Sequence, residues 1–208
     1  MTELLIVRHG KTAWNLEQRI QGSTDTELHP IGIRQAEALA RRLAQEEFHA
    51  IYSSSLKRAY QTAERIAGKT SHRVILHDGL RERNFGIFEG LTADEIQRQY
   101  PEAWKRFKNW DPDYTIPQGV SLREYQQKSV QHLERIAGKH PDERLVIVTH
   151  GAFLSVLMRY TLQIPFSRPR RFRGVNTALN IFVFDEGGWT LRTWGDTSHL
   201  RRIDDTVT

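Results

Sequence analysis

The chain contains no cysteine. That single absence removes disulfide staples, a thiolate nucleophile and cysteine-ligated zinc together. No apolar run is long enough to span a bilayer. No signal-peptide pattern precedes the first strand-like segment, which begins almost at Met1. A cytoplasmic protein without a membrane partner is the expectation. There is also no helix-turn-helix signature, no zinc-finger spacing and no strand of interleaved basic and aromatic residues, so nucleic acid is not the expected partner. The basic balance, 30 Lys+Arg against 25 Asp+Glu for a net charge of +5, then favours a small anionic ligand such as a phosphate ester. With 208 residues and no linker-like stretch, the chain reads as one domain, 1–208, large enough to bury a core.

Two segments organise the rest. Leu4-Leu5-Ile6-Val7 runs straight into Arg8-His9-Gly10, and Leu145-Val146-Ile147-Val148 runs into Thr149-His150-Gly151. Short, uninterrupted apolar runs of this kind are strands buried on both faces of a parallel sheet. Ligands of open α/β sheets bind at the carboxyl ends of the strands. If the two strands are parallel neighbours, both histidines reach one rim.

The remaining chain supplies crossovers and a cap. Helical spacing predicts a helix from about Ile31 to Gln45, with Ile33, Ala36, Leu39, Ala40 and Leu43 on one face. A second strand covers about His49 to Ser53. The serines Ser53 to Ser55 are expected to cap the following helix, with Arg58 in its first turn beside free backbone N–H groups. A short third strand lies at Arg73 to Leu76, followed by a polar, glycine-punctuated loop from Asp78 to Gly90 that holds Glu82. Capping boxes at Thr92–Glu95 and Ser121–Glu124 open two more helices. Between them, the aromatic stretch from Tyr100 to Tyr114 is expected to lie over the site. The final two strands form a hairpin around Glu186-Gly187-Gly188. These elements give a three-layer α/β/α sandwich with a mostly parallel central sheet and one antiparallel strand.

The reactive residues at predicted strand ends and helix starts are Arg8, His9, Arg58, Glu82 and His150. Two arginines neutralise a dianion and grip its oxygens. A neutral imidazole can attack phosphorus. A carboxylic acid can protonate the departing alkoxide, and a second imidazole can stabilise the equatorial oxygens. The alternatives are core histidines satisfied by backbone, and metal ligands. No local carboxylate grouping completes a metal site, so no metal and no cofactor are expected. Glu89 competes with Glu82 for the acid's place.

These motifs, in their order, resemble the histidine phosphatase superfamily, in the branch of phosphoglycerate mutases and related phosphatases. The resemblance covers essentially the whole chain: Arg8-His9-Gly10 with Thr12, Trp14 and Asn15; Gln21-Gly22; Ser53 to Ala59; Leu80 to Gly86; Phe88-Glu89-Gly90; Thr149-His150-Gly151; and Gly195 to His199. It implies His9 as nucleophile, Glu82 as proton donor, and Arg8, Arg58 and His150 around the phosphate. Asn15, Gln21, Gly22 and Gly151 would contribute to phosphate or substrate binding. It implies a metal-independent phosphatase of small phosphomonoesters working through phosphohistidine, with a phosphoglycerate mutase as the alternative and a non-catalytic phosphate-binding module as a third reading. The residues do not reveal an oligomeric state; proteins of the family this chain resembles are often homodimers. Two positions depart from the family: Lys11, expected to add charge near the mouth, and Val120, where many relatives carry Glu.

Overall fold

The computed structural model describes residues 1–201. In chain order the elements are β1 (Thr2–Arg8), α1 (Ala13–Leu16), α2 (Pro30–Leu43), β2 (Ala50–Ser53), α3 (Lys57–Thr70), β3 (Val74–Leu76), α4 (Ala93–Gln99), α5 (Pro101–Lys108), α6 (Leu122–Ala137), β4 (Arg144–Thr149), α7 (Gly151–Thr161), β5 (Leu179–Asp185) and β6 (Gly188–Asp196). The strands form one sheet in the order β3-β2-β4-β1-β5-β6. β1 pairs in parallel with β4, and β2 in parallel with both β4 and β3. β5 is antiparallel to β1 and to β6, so β5 alone runs against the other five.

Burial follows the two-residue period of a strand. Leu4, Ile6, Leu145 and Ile147 face α6 and α7, packing with Leu133, Ile136, Leu154 and Leu157. Leu5, Val7, Val146 and Val148 face α2 and α3, packing with Leu39, Leu43, Ala63 and Ile66. Every residue of the two apolar runs is fully buried because both faces are covered. A third, smaller core of Phe88, Ile96, Tyr114 and Ile116 lies under α4 and α5. It anchors the aromatic excursion that sequence patterning alone leaves without a support.

Local sequence explains the element boundaries, with two corrections. Pro30 starts α2 at a position where its missing N–H costs nothing. Thr92 and Glu95 form the expected reciprocal capping box. Ser121 accepts the Glu124 N–H, but the Glu124 carboxylate pairs with Lys128 one turn on, so only half of the second box forms. The serines do not cap α3. Its N-cap is Leu56, without a side-chain bond, and Asp25 accepts the Lys57 N–H instead. Ser53 belongs to β2, and Ser54 is drawn to His150, as described below.

Candidate active site

The β1–β4 register, Arg8 opposite Thr149, brings both histidines to the same sheet edge. The His9 N–H donates to the Thr149 carbonyl at 2.9 Å. The two imidazoles lie 5.2 Å apart, centroid to centroid, tilted by 55°. His9 is 2% exposed and His150 not at all. His9 Nδ1 sits 2.7 Å from the Gly10 carbonyl oxygen, which can only accept, so Nδ1 carries the proton and Nε2 keeps its lone pair. Its backbone is braced on both sides. The Asn176 amide donates to the His9 carbonyl at 2.7 Å, and the Gly10 N–H donates to Thr62 Oγ1 at 3.0 Å. Burial, reinforced by the Arg58 and Arg8 charges, holds His9 well below the usual histidine range, and burial with Arg58 does the same for His150.

Both rings are therefore neutral near neutral pH. The consequence for stability has a definite sign. An unfolded histidine takes its proton near pH 6.5 while these two do not, so below that pH the unfolded state binds more protons and folding weakens. His199, pushed down to about 4 by burial and Arg42, adds a third group of the same kind. Each is expected to cost up to about 1.4 kcal/mol per pH unit below pH 6.5. Denaturant midpoints should fall between pH 7.5 and pH 5.5, with a shallower fall in His9→Gln. A midpoint unchanged over that interval would contradict the neutral pair.

Arg58 is fully buried and reaches back from α3 to the loop after α1. Its Nη1 donates to the Thr24 carbonyl and its Nη2 to the Gly22 carbonyl, each at 2.7 Å. Arg8, at the end of β1, donates from Nη1 to the Gly174 carbonyl at 2.8 Å. Both guanidiniums are thereby oriented, yet the Nε of each is buried without a partner. So is Nδ1 of His150. Ser54 explains which nitrogen of His150 is left over. Its Oγ accepts the Leu56 N–H and lies 2.7 Å from His150 Nε2. With the Leu56 N–H on one lone pair of Oγ, assigning the hydroxyl proton to Nε2 puts the imidazole's own proton on Nδ1. Three unsatisfied buried donors cost about 1–3 kcal/mol each, a large fraction of a domain's net stability of about 5–15 kcal/mol. Two of the three belong to Arg8 and Arg58, which line one cavity, where an anion would give them partners.

Glu82 is separated from Glu89 by its surroundings. Glu89 accepts from five donors, the N–H and hydroxyl of Ser23, the N–H and hydroxyl of Thr24, and the Phe85 N–H. It staples two loops and does not line the cavity. Glu89→Ala is expected to lower unfolding stability by about 2–4 kcal/mol, read from denaturant melts; an unchanged midpoint would contradict the staple. Glu82 does line the cavity. It accepts the Arg83 N–H at 2.9 Å and the Ala152 N–H, at the start of α7, at 3.1 Å. The buried Tyr125 hydroxyl donates to the Arg81 carbonyl at 2.9 Å and lies 3.4 Å from Glu82 Oε1. Burial lowers the Arg8, Arg58 and Arg83 guanidiniums, and Glu82 opposes that shift in all three.

Arg8, His9, Arg58 and Glu82 open onto one cavity of about 310 Å³, which Asn15, Gln21, Gly22 and Gly151 also line. Thr12 holds the Asn15 Oδ1 from its N–H and hydroxyl, and Thr26 holds the Gln21 Oε1. Gly22 sits at φ +54°, where an added Cβ would fall 2.0 Å from Glu89. Gly151 lies against the Arg8 guanidinium, 3.3 Å from an added Cβ. His150 is not among the residues that line the cavity; its ring lies beside that of His9, 5.2 Å centroid to centroid. Lys11 does not line the cavity either; its N–H is held by Gln35. Val120 packs on the core and offers its carbonyl to Arg83 Nε at 2.8 Å. Sequence reading missed Ser54, Asn176, Arg83 and Arg159. Of these, Arg159, a lone charge in the otherwise apolar α7, carried a signal. The aromatic excursion does cover the site: Phe107, Trp110 and Tyr114 are in the wall, with Arg170 from the segment between α7 and β5. Among the described residues, no three His, Asp or Glu side chains are grouped as metal ligands, and no helix is long and apolar enough to cross a membrane.

Buried arginines and neutral imidazoles around one cavity, at the carboxyl edge of an α/β sheet, are the equipment of an enzyme acting on phosphate esters. The chain belongs to the histidine phosphatase superfamily, branch 1, whose family model matches residues 4–197. It is 42% identical over 202 residues to a phosphoglycerate mutase-like protein 4 of Arabidopsis thaliana, covering 95% of this chain and 86% of that one. It is 38% identical over 208 residues to a metal-independent phosphoserine phosphatase of the same plant, covering 98% and 85%. A crystal structure of a mutant phosphoserine phosphatase from Entamoeba histolytica in complex with phosphoserine superposes with a TM-score of 0.86 at 34% identity, covering 96% of this chain and all of that one. The same protein, in complex with 3-phosphoglyceric acid, superposes equally well. The reaction class is phosphoric monoester hydrolysis.

Proposed function

We propose that the chain hydrolyses small phosphomonoesters without a metal, through a phosphohistidine at His9. The lone pair of Nε2 attacks phosphorus as the P–O ester bond breaks, its electron pair leaving on the ester oxygen. Glu82 gives that oxygen a proton, and the N–H groups of Arg83 and Ala152 hold the resulting carboxylate. Glu82 then takes a proton from water as the water attacks the phosphohistidine, releasing phosphate and restoring neutral His9. Arg8, Arg58 and His150 offer N–H donors to the equatorial oxygens throughout. The observation that carries this reading is the set of unpartnered buried donors, Arg8 Nε, Arg58 Nε and His150 Nδ1, beside an imidazole whose Nδ1–H is tied to a carbonyl.

Phosphate release from a panel of monoesters is expected to survive a chelator; activity lost to the chelator would overturn the metal-free route. The mutase reading is favoured by the name of the 42% identical relative. Rapid exchange between 2- and 3-phosphoglycerate with little free phosphate would replace the hydrolase by a mutase. The single sheet and its two main cores support one domain over 1–208. The absence of cysteine supports a cytoplasmic setting. Ile75 and Leu76, exposed on the edge strand β3, support a homodimer.

A further inference from the structure

Beyond the phosphate end, much of the cavity wall is apolar: Ile20, Phe85, Phe107, Trp110, Tyr114 and Leu122. The rings are held in place. Phe107 stacks on Trp104 at 5.5 Å and meets Phe88 edge-on at 5.6 Å and Phe85 at 6.4 Å. Phe88 in turn is fully buried in the third core. The Arg106 guanidinium covers Tyr114 at 4.4 Å, and that of Arg159 approaches Trp110 at 5.6 Å. This is a wall formed before any ligand arrives, so little ordering opposes binding to it.

The arginines around it do not make it an anion site. Arg19 donates to Glu17, Glu95 and the Gly90 carbonyl. Arg159 donates to the Pro165 and Arg168 carbonyls and lays its plane near Trp110 and Phe166. Arg83 donates Nε to Val120 and lies 5.1 Å from the Phe85 ring centre, and Arg170 belongs to the phosphate end, where it acts on Arg8 and Glu82. Asp111, the other acid in the wall, is exposed and accepts the Asp113 N–H.

We propose that this wall receives the alcohol portion of the substrate, and that the preferred substrates are phosphomonoesters of apolar, ring-bearing alcohols. The inference rests on the phosphate-end reading above and adds what lies on the other side of the ester oxygen. A flat ring laid against pinned aromatics buries apolar surface that a short polar alcohol does not have.

The test is equilibrium binding, which needs no turnover. Calorimetric titrations of the full chain would compare 2-phenylethylphosphonate with ethylphosphonate, neither of which can be hydrolysed. The ring compound should bind about tenfold tighter or more. That ratio should collapse toward one in Phe107→Ala and in Trp110→Ala; Trp110, 40% exposed, gives a variant that remains informative if loss of Phe107 prevents folding. Equal binding of the two compounds overturns the inference and leaves the phosphate-end reading standing. Tighter binding of the phosphonate analogue of phosphoserine than of the ring compound overturns it as well. Binding of neither class overturns both readings.

Discussion

His9→Ala is expected to lower kcat by at least about 10⁴-fold while the protein stays folded. The size follows from what is removed. Without Nε2 the reaction loses its covalent intermediate, and water would have to enter a site shaped around an imidazole. The remaining donors still bind phosphate, because Arg58 is oriented by the Gly22 and Thr24 carbonyls and Arg8 by that of Gly174, none of which touches the His9 ring. KM should therefore change far less than kcat. Rapid quenching of the wild type in alkali, with substrate labelled at phosphorus, should leave label on the protein through a bond that survives alkali and breaks in acid. The same quench of His9→Ala should leave none. Label retained by the variant would place the nucleophile elsewhere, and an unlabelled wild type with normal turnover would point to direct attack by water.

The parts of this site legible in the sequence are those written in short-range pattern. Four apolar, strand-favouring residues ending in Arg8-His9-Gly10 read as a doubly buried strand with polar residues at its exit, and the second such strand is legible for the same reason. What pattern cannot reveal is which polar groups meet across the fold. Ser54 has the look of a helix cap, since serine before a helix usually is one. It is instead claimed by His150, 96 positions away, because a fully buried imidazole must satisfy one nitrogen to hold the other ready. Glu82 and Glu89 are equivalent as letters in a polar loop. They differ in that Glu89 meets the Ser23 and Thr24 donors from a distant loop, while Glu82 meets the start of α7 at the cavity wall. Asn176 likewise has no local signal, yet it fixes the carbonyl of His9 from 167 positions away. Long-range partners of this kind decide roles, and spacing does not encode them.

Glu82→Gln isolates the proton-transfer step from everything His9 does. The amide keeps the shape of the carboxylate but cannot release a proton to the ester oxygen. With alkyl phosphates, whose alkoxides leave poorly without protonation, kcat is expected to fall about 10²–10⁴-fold. With a nitrophenyl ester the leaving group departs unprotonated, so phosphorylation of His9 should remain fast. The second half-reaction should then fail, since no carboxylate is left to take the proton from water. The variant is thus expected to release one equivalent of nitrophenolate in a burst, stall, and accumulate alkali-stable label on His9. The neighbours sharpen the interpretation. The Ala152 N–H donates to Glu82 Oε2, and the amide must offer its oxygen there or lose that bond. Glu82→Ala therefore serves as the companion variant, with the same leaving-group dependence expected. Equal losses for alkyl and nitrophenyl esters, without a burst, would remove Glu82 from the proton path and reduce it to a carboxylate that steadies Arg8, Arg58 and Arg83.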